Sequence, residues 1–303
     1  MKKVITSVWI AILFTLPFNV VSAKEPLTPH ELNLVIDNVN FIVGDGKGWC
    51  SATLISKEHR ILTTAHHCLG KHIRWIDKKV VDEGEVVSKK VEVRTDVTVQ
   101  QFLYNGASKV GGSSYKAKII AYSDAQTGHD LAILQLVSKN IPQTLEASVL
   151  PISLETERGD PVVIVANPAM LDASLSNGII ASVSREKESV TGEKTRILQT
   201  NAGAFFGSSG GALLTDTGYY IGTVVGGIPG AQVIFAVHYS HLRDMLEENC
   251  FAELYDPEAI DYDTCVGSLE EGEATASETV KSILKEIRDS HEAATDMEWS
   301  PTF

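Results

Sequence analysis

The run Arg60-Ile61-Leu62-Thr63-Thr64-Ala65-His66-His67-Cys68 decides how the rest of the chain is read. Its first half is a short β-type stretch, too brief for a helix. Its second half sets two histidines and a cysteine at the end of that stretch, where a buried strand can hold them rigidly. By itself, a histidine in such a place serves structure as readily as chemistry. Outward from this run the same grain recurs. Leu131-Ala132-Ile133-Leu134, Val162-Val163-Ile164-Val165, Arg196-Ile197-Leu198-Gln199 and Tyr219-Tyr220-Ile221-Gly222-Thr223-Val224-Val225 are short β-type runs between Gly, Asn, Asp and Pro. From Lys24 to about Tyr239 there is hardly any long helical pattern, so an all-β barrel or sandwich is expected. The weakly periodic stretch Ser138 to Pro151 reads as a connector between two lobes, about 24–145 and 146–246. Residues Val80 to Lys118 are polar and read as long surface strands and loops.

At Ser240 the period changes. Leu242, Met245, Leu246 and Cys250 recur at helical spacing, with Ser240 as the expected N-cap. Residues Gly267 to Thr279 have linker composition. Val280, Ile283, Leu284 and Ile287 then mark a short second helix, opened by a Thr275–Glu278 capping box. The chain of 303 residues carries 26 Lys+Arg and 39 Asp+Glu, a formal charge of −13. All of that imbalance lies in 247–303, which hold 16 acidic and three basic residues. The acidity therefore belongs to a C-terminal extension. A chain of this charge is not a general nucleic-acid binder, which needs a basic face to neutralise phosphates.

The N-terminus reads as a secretory signal: Lys2 and Lys3, an apolar run from Val8 to Leu16, and small residues ending at Ala23. The apolar run is too short to span a bilayer, so cleavage after Ala23 and no stable membrane insertion are expected. Secretion or a periplasmic location follows, and with it an oxidised state for Cys50, Cys68, Cys250 and Cys265. Three pairings can be drawn, and proximity in sequence favours Cys50–Cys68 and Cys250–Cys265. The first would tether the histidine-bearing turn to the preceding strand, worth roughly 3 kcal/mol in the chain-entropy model. No Cys-x-x-Cys spacing favours zinc.

Two further motifs complete a pattern. Gly128-His129-Asp130 opens the apolar run Leu131–Leu134, so Asp130 falls near a buried strand end and needs a partner. Gly207-Ser208-Ser209-Gly210-Gly211 precedes Ala212-Leu213-Leu214, and its glycines allow a tight turn whose N–H groups converge. Alone, each reads as easily as an ordinary turn.

In the order His67, Asp130, Ser209, the three motifs resemble those of the trypsin-like (chymotrypsin-fold) serine peptidases: Thr-Ala-Ala-His-Cys, Asp-(Leu/Ile)-Ala-(Leu/Ile) and Gly-x-Ser-Gly-Gly. The resemblance covers about Gly48 to Leu246. It is closer to the HtrA/Deg branch, since Gln199-Thr200-Asn201-Ala202-Gly203-Ala204-Phe205-Phe206-Gly207-Ser208-Ser209-Gly210-Gly211 is similar to that branch's serine motif, and Phe235-Ala236-Val237 to its Phe-Ala-Ile/Val. Phe206, Asn201 and the cysteine pair depart from the branch pattern, and the residues after the core are too few for a PDZ domain.

The resemblance implies two six-stranded antiparallel β-barrels over 24–246, with a C-terminal helix and a helical acidic tail in 247–303. It implies a serine endopeptidase with Ser209 as nucleophile, His67 rather than His66 as base and Asp130 as its orienter, and an oxyanion hole from the Gly207 and Ser209 amides. Gly203 would floor the S1 pocket, followed by Ala204. Phe205 and Phe206 would shape its wall, and Thr223, Val224 and Val225 would pair with the substrate backbone. With no acid at that floor, a small or medium apolar P1 residue is expected in protein or peptide substrates. No cofactor or metal is implied. Ser208 stands where trypsin keeps the acid that pairs with its new N-terminus, so no activation of that kind is expected at Ile42-Val43-Gly44. A catalytically silent binding protein is the rival reading. An esterase is a poorer one, for its Gly-x-Ser-x-Gly sits between strand and helix.

Overall fold

The computed structural model describes residues 25–44, 49–82, 85–105, 108–137, 150–171 and 173–271. The signal segment, most of the 138–151 connector and the 280–287 helix lie outside these residues. The short apolar runs become strands of two closed six-stranded antiparallel barrels. The first contains β1 (Asn40–Gly44), β2 (Trp49–Ser56), β3 (Ile61–Thr64), β6 (Val97–Asn105), β7 (Ser108–Ser123) and β8 (Leu131–Leu136), in the order β1-β2-β3-β8-β7-β6. The second contains β9 (Pro161–Ala166), β10 (Ser174–Glu188), β11 (Lys194–Thr200), β12 (Ala212–Thr215), β13 (Tyr220–Gly227) and β14 (Ile234–His238), in the order β10-β11-β14-β13-β12-β9. A separate ribbon, β4 (Ile73–Asp82) with β5 (Glu85–Arg94), takes up the polar stretch. At its base Arg94 donates to the carbonyls of Ile119 and Ile120, and Tyr122 donates to Glu92 (2.7 Å). These bonds fix the base of the ribbon to β7, and Ile73 at that base packs against the core of the first barrel.

Each barrel fills its inside from alternate strand positions. Val97 and Val99 point inward while Thr98 is exposed; β8 is buried along its whole length. Between the barrels, Ile55, Ile61, Ile120 and Ile133 of the first join a cluster with Val163, Ile164, Ile221 and Leu246. This shared layer places the ends of β3 and β8 against the second barrel. Ile42–Gly44 pair with both β2 and β6, so that stretch lies within the first barrel's sheet.

Three features differ from the sequence expectation. Helix α1 (Pro29–Val39) was not anticipated. Its signal is short but present: Thr28 N donates to Glu31 Oε2 (2.8 Å), Glu31 N donates to Thr28 Oγ1 (3.3 Å), and Pro29 fills the first helical position. Helix α2 (Tyr239–Glu248) is capped by His238, one residue pair ahead of the expected Ser240. Residues Gly267 to Glu271 are not linker but the end of helix α3 (Tyr262–Glu271). That helix is held by the Cys250–Cys265 disulfide and by Tyr262 stacked on the fully buried Phe251 at 4.9 Å. Glu253 pairs with His59 of the β2–β3 turn (3.2 Å). The start of the acidic extension is thus clasped onto the body. Among the described residues no helix is long and apolar enough to cross a membrane.

Two histidines of this region act as neutral acceptors. His238 Nδ1 accepts from Ser240 N–H (3.2 Å), and His241 Nε2 accepts from Arg196 N–H (2.9 Å). Burial, reinforced by Arg196 and by neighbouring charge, pushes His238 down to about 3 and His241 down to about 4. A histidine with a depressed folded pKa binds more protons when unfolded, so its stability contribution is whole above about pH 6.5 and drains below it. Tm should fall between pH 6.5 and 5, before most carboxylates titrate, and His241→Gln should flatten that fall. A wild-type Tm that is constant over this window would contradict the assignment.

Candidate active site

β3 ends at Thr64, and the chain turns at once into a 3-10 turn, His66–Leu69. The Cys50–Cys68 disulfide staples that turn to β2. The two adjacent histidines leave it in different directions. His66 is buried; its Nδ1 accepts from Ala125 N–H (3.1 Å), its ring stacks on Tyr122 (4.8 Å), and burial pushes its pKa down. His67 faces outward, with Nδ1 2.8 Å from Asp130 Oδ2, while its own N–H donates to Asp130 Oδ1 (2.9 Å). Asp130 is buried and left-handed at φ +60, a conformation that aspartate tolerates better than most residues. A carboxylate only accepts. The His67 proton therefore sits on Nδ1, and Nε2 keeps its lone pair.

The serine turn is built by close approach. Ser208 N donates to Phe205 O (2.9 Å), Gly211 N to Ser208 O (2.9 Å) and Gly210 N to Val224 O (2.7 Å). Gly210 has φ +85, and a Cβ there would run into Ser51 O and Thr64 Oγ1 of the first barrel. Only glycine lets the turn reach the strand that carries the His67 turn. Gly207 has φ +98, and a Cβ there would lie 2.6 Å from Asn167 O. Ser208 is buried, and its Oγ accepts from Phe205 N–H (3.1 Å). Ser209 is the serine of this pair that is partly exposed.

His67 and Ser209 line one cleft of about 480 Å³. Among the described residues no hydrogen bond joins Ser209 Oγ to the His67 ring; such contacts often tighten only when substrate is bound. The other walls are Ala204, Phe205, Phe206, Ser208, the Val224–Ala231 segment and Ile234. Phe205 and Phe206 are 63% and 78% exposed and meet edge to face at 5.2 Å, a large apolar area at the rim. No lining residue is acidic.

Of the pocket residues named from sequence, Ala204, Phe205, Phe206, Val224 and Val225 line this cleft, and Gly203 and Thr223 do not. Gly203 is exposed, with its carbonyl turned to the Ser176 hydroxyl. Thr223 is buried and bonds to Tyr220 OH (2.6 Å). The Gly227–Ala231 wall was missed, although Ile228-Pro229-Gly230 is a turn signal directly after a strand.

Residues 50–223 match the family model described as trypsin-like peptidase domain. Curated relatives include the serine endoprotease DegS of Haemophilus influenzae, 29% identical over 37% of this chain and 31% of its own length. The serine protease HTRA1A of Danio rerio is 27% identical over 56% of this chain and 33% of its own. The chain thus spans about a third of the length of these relatives. The crystal structure of Deg5 matches 72% of this chain and 94% of its own at 21% identity, with a TM-score of 0.50, a likeness of fold.

Proposed function

The chain belongs to the trypsin-like peptidase family, with homologues among the HtrA/Deg serine endoproteases, and from that premise we propose that it is an exported serine endopeptidase using Ser209, His67 and Asp130. One observation carries the reading: an Asp130-oriented imidazole and an accessible serine on a glycine-framed turn share a single apolar cleft. Ser209 Oγ attacks the scissile carbonyl and gives its proton to His67 Nε2. Asp130 holds the ring and stabilises the imidazolium. The proton then passes to the leaving amine, and water repeats the cycle on the acyl-enzyme. The Gly207 and Ser209 amides receive the oxyanion.

Substrate enters as an extended strand beside Val224-Val225-Gly226, where a register shift between Val224 and Gly226 interrupts pairing with β14. The acid-free walls favour a small or medium apolar P1 residue. The test is a peptide-library cleavage profile. Cleavage after Val, Ala or Leu is expected; cleavage after Arg or Lys would contradict the pocket assignment.

A further inference from the structure

The Gly207–Ser209 turn is tied to the first barrel by a residue outside every sequence motif. Ser51, on β2, is fully buried and uses all its polar groups. Its N–H donates to Ser209 O (2.7 Å), its Oγ donates to Gly207 O (2.9 Å) and accepts from Asn167 N–H (2.8 Å), and its carbonyl accepts from Thr64 Oγ1 (2.7 Å). Thr64 is the last residue of β3, separated by one residue from the His66–Leu69 turn that carries His67. One side chain and its backbone therefore link the serine turn, the histidine strand and the turn after β9.

That last turn is locked in its own right. Asn167 and Asn40 form a reciprocal amide pair across the barrels (2.9 Å each way), and Asn167 Nδ2 also donates to Phe41 O (2.9 Å). Two residues on, Ala169 is left-handed at φ +52 and donates its N–H to Phe206 O (2.6 Å). In a trans peptide the C=O and the following N–H point in opposite directions. Fixing Phe206 O toward Ala169 therefore turns the Gly207 N–H to the other side. None of residues 167–169 lines the cleft that His67 and Ser209 share, so the Gly207 N–H faces away from a turn that takes no part in that cleft. Among the described residues nothing accepts from the Gly207 or Ser209 N–H, so both remain available to a ligand.

We propose that Ser51, acting through Gly207 and Asn167, is a positioning residue that holds the two oxyanion donors in place before substrate arrives. The proposal rests on Ser209 being the nucleophile. With Ser208 offering no carboxylate, the serine turn is held by buried neutral hydrogen bonds rather than by an ion pair. Buried polar groups left without partners make such a turn move rather than stay.

The experiment measures hydrolysis of a fluorogenic tetrapeptide with Val at P1, and inhibition by the matching peptide boronate, with rates referred to the folded fraction from thermal unfolding. For Ser51→Ala, kcat should fall by about 10- to 100-fold, somewhat less than loss of an oxyanion donor itself. KM should stay within about twofold, and boronate affinity should fall in step with kcat/KM. Ser51→Thr, which keeps the hydroxyl, should recover most of kcat. If Ser51→Ala does not fold, Asn40→Ala loosens Asn167 from behind and should give a smaller loss of the same pattern. Wild-type kcat and boronate affinity in these variants, or a loss confined to KM or Tm, would overturn the proposal. A wild-type protein that neither cleaves the peptide nor binds the boronate would instead remove the peptidase reading, and the positioning role with it.

Discussion

Ser209→Ala should lower peptide hydrolysis by about a millionfold, while Ser208→Ala should stay within about tenfold of the wild type. The first figure is the usual cost of removing a nucleophile from a cooperating triad; binding and the oxyanion donors leave only residual catalysis. The second follows from what Ser208 does. Its side chain is buried and accepts one hydrogen bond from Phe205 N–H, so its loss costs about one ordinary hydrogen bond in the turn. The neighbouring serines thus differ because the turn buries Ser208, its hydroxyl taken by Phe205 N–H, and leaves Ser209 partly exposed. Burst kinetics with an activated ester check both variants at once. Equal rates for Ser209→Ala and wild type would remove Ser209 from the mechanism.

The second large effect is expected at Asp130. Asp130→Asn should keep the fold, since asparagine also accepts the left-handed backbone found there. It should nonetheless reduce kcat by about 10⁴-fold. The reason lies in two hydrogen bonds with different demands. The His67 N–H can only donate, so the amide oxygen must take the place of Oδ1. The NH₂ group then faces His67 Nδ1, where Oδ2 stood. It forces the ring proton onto Nε2, and a protonated Nε2 cannot accept from Ser209. Proton NMR of the ring nitrogens and steady-state kinetics give the two readings. A variant with wild-type kcat would show that Asp130 does not set the tautomer.

Features written in a few adjacent residues were legible in the sequence. The runs that became β3, β8, β9, β11 and β13 carry their own β-type composition and turn punctuation. Both disulfides join cysteines close in sequence, 18 and 15 residues apart. The two-barrel architecture came from the order of three motifs rather than from periodicity, which cannot tell a barrel from a sandwich. The Ser51–Asn167–Gly207 network was not legible. Its partners lie 116 and 156 residues apart, and serine and asparagine in a strand and a turn carry no local mark of being buried. Thr223 and Gly203 lie outside the cleft lining, since motif spacing fixes a residue's position along the chain but not which way it faces. The C-terminal extension was read by its charge, and charge says nothing of Phe251, whose burial decides that 250–271 belong to the body.

The central claim is that Ser209 is a nucleophile activated by His67. It is tested most directly by treating the folded protein with a fluorophosphonate and mapping the adduct by peptide mass spectrometry. One adduct per chain on Ser209, absent after heat unfolding and lost in His67→Ala, is the predicted result. A folded wild-type protein that takes no label, or takes it equally on Ser208 and other serines, would contradict the account.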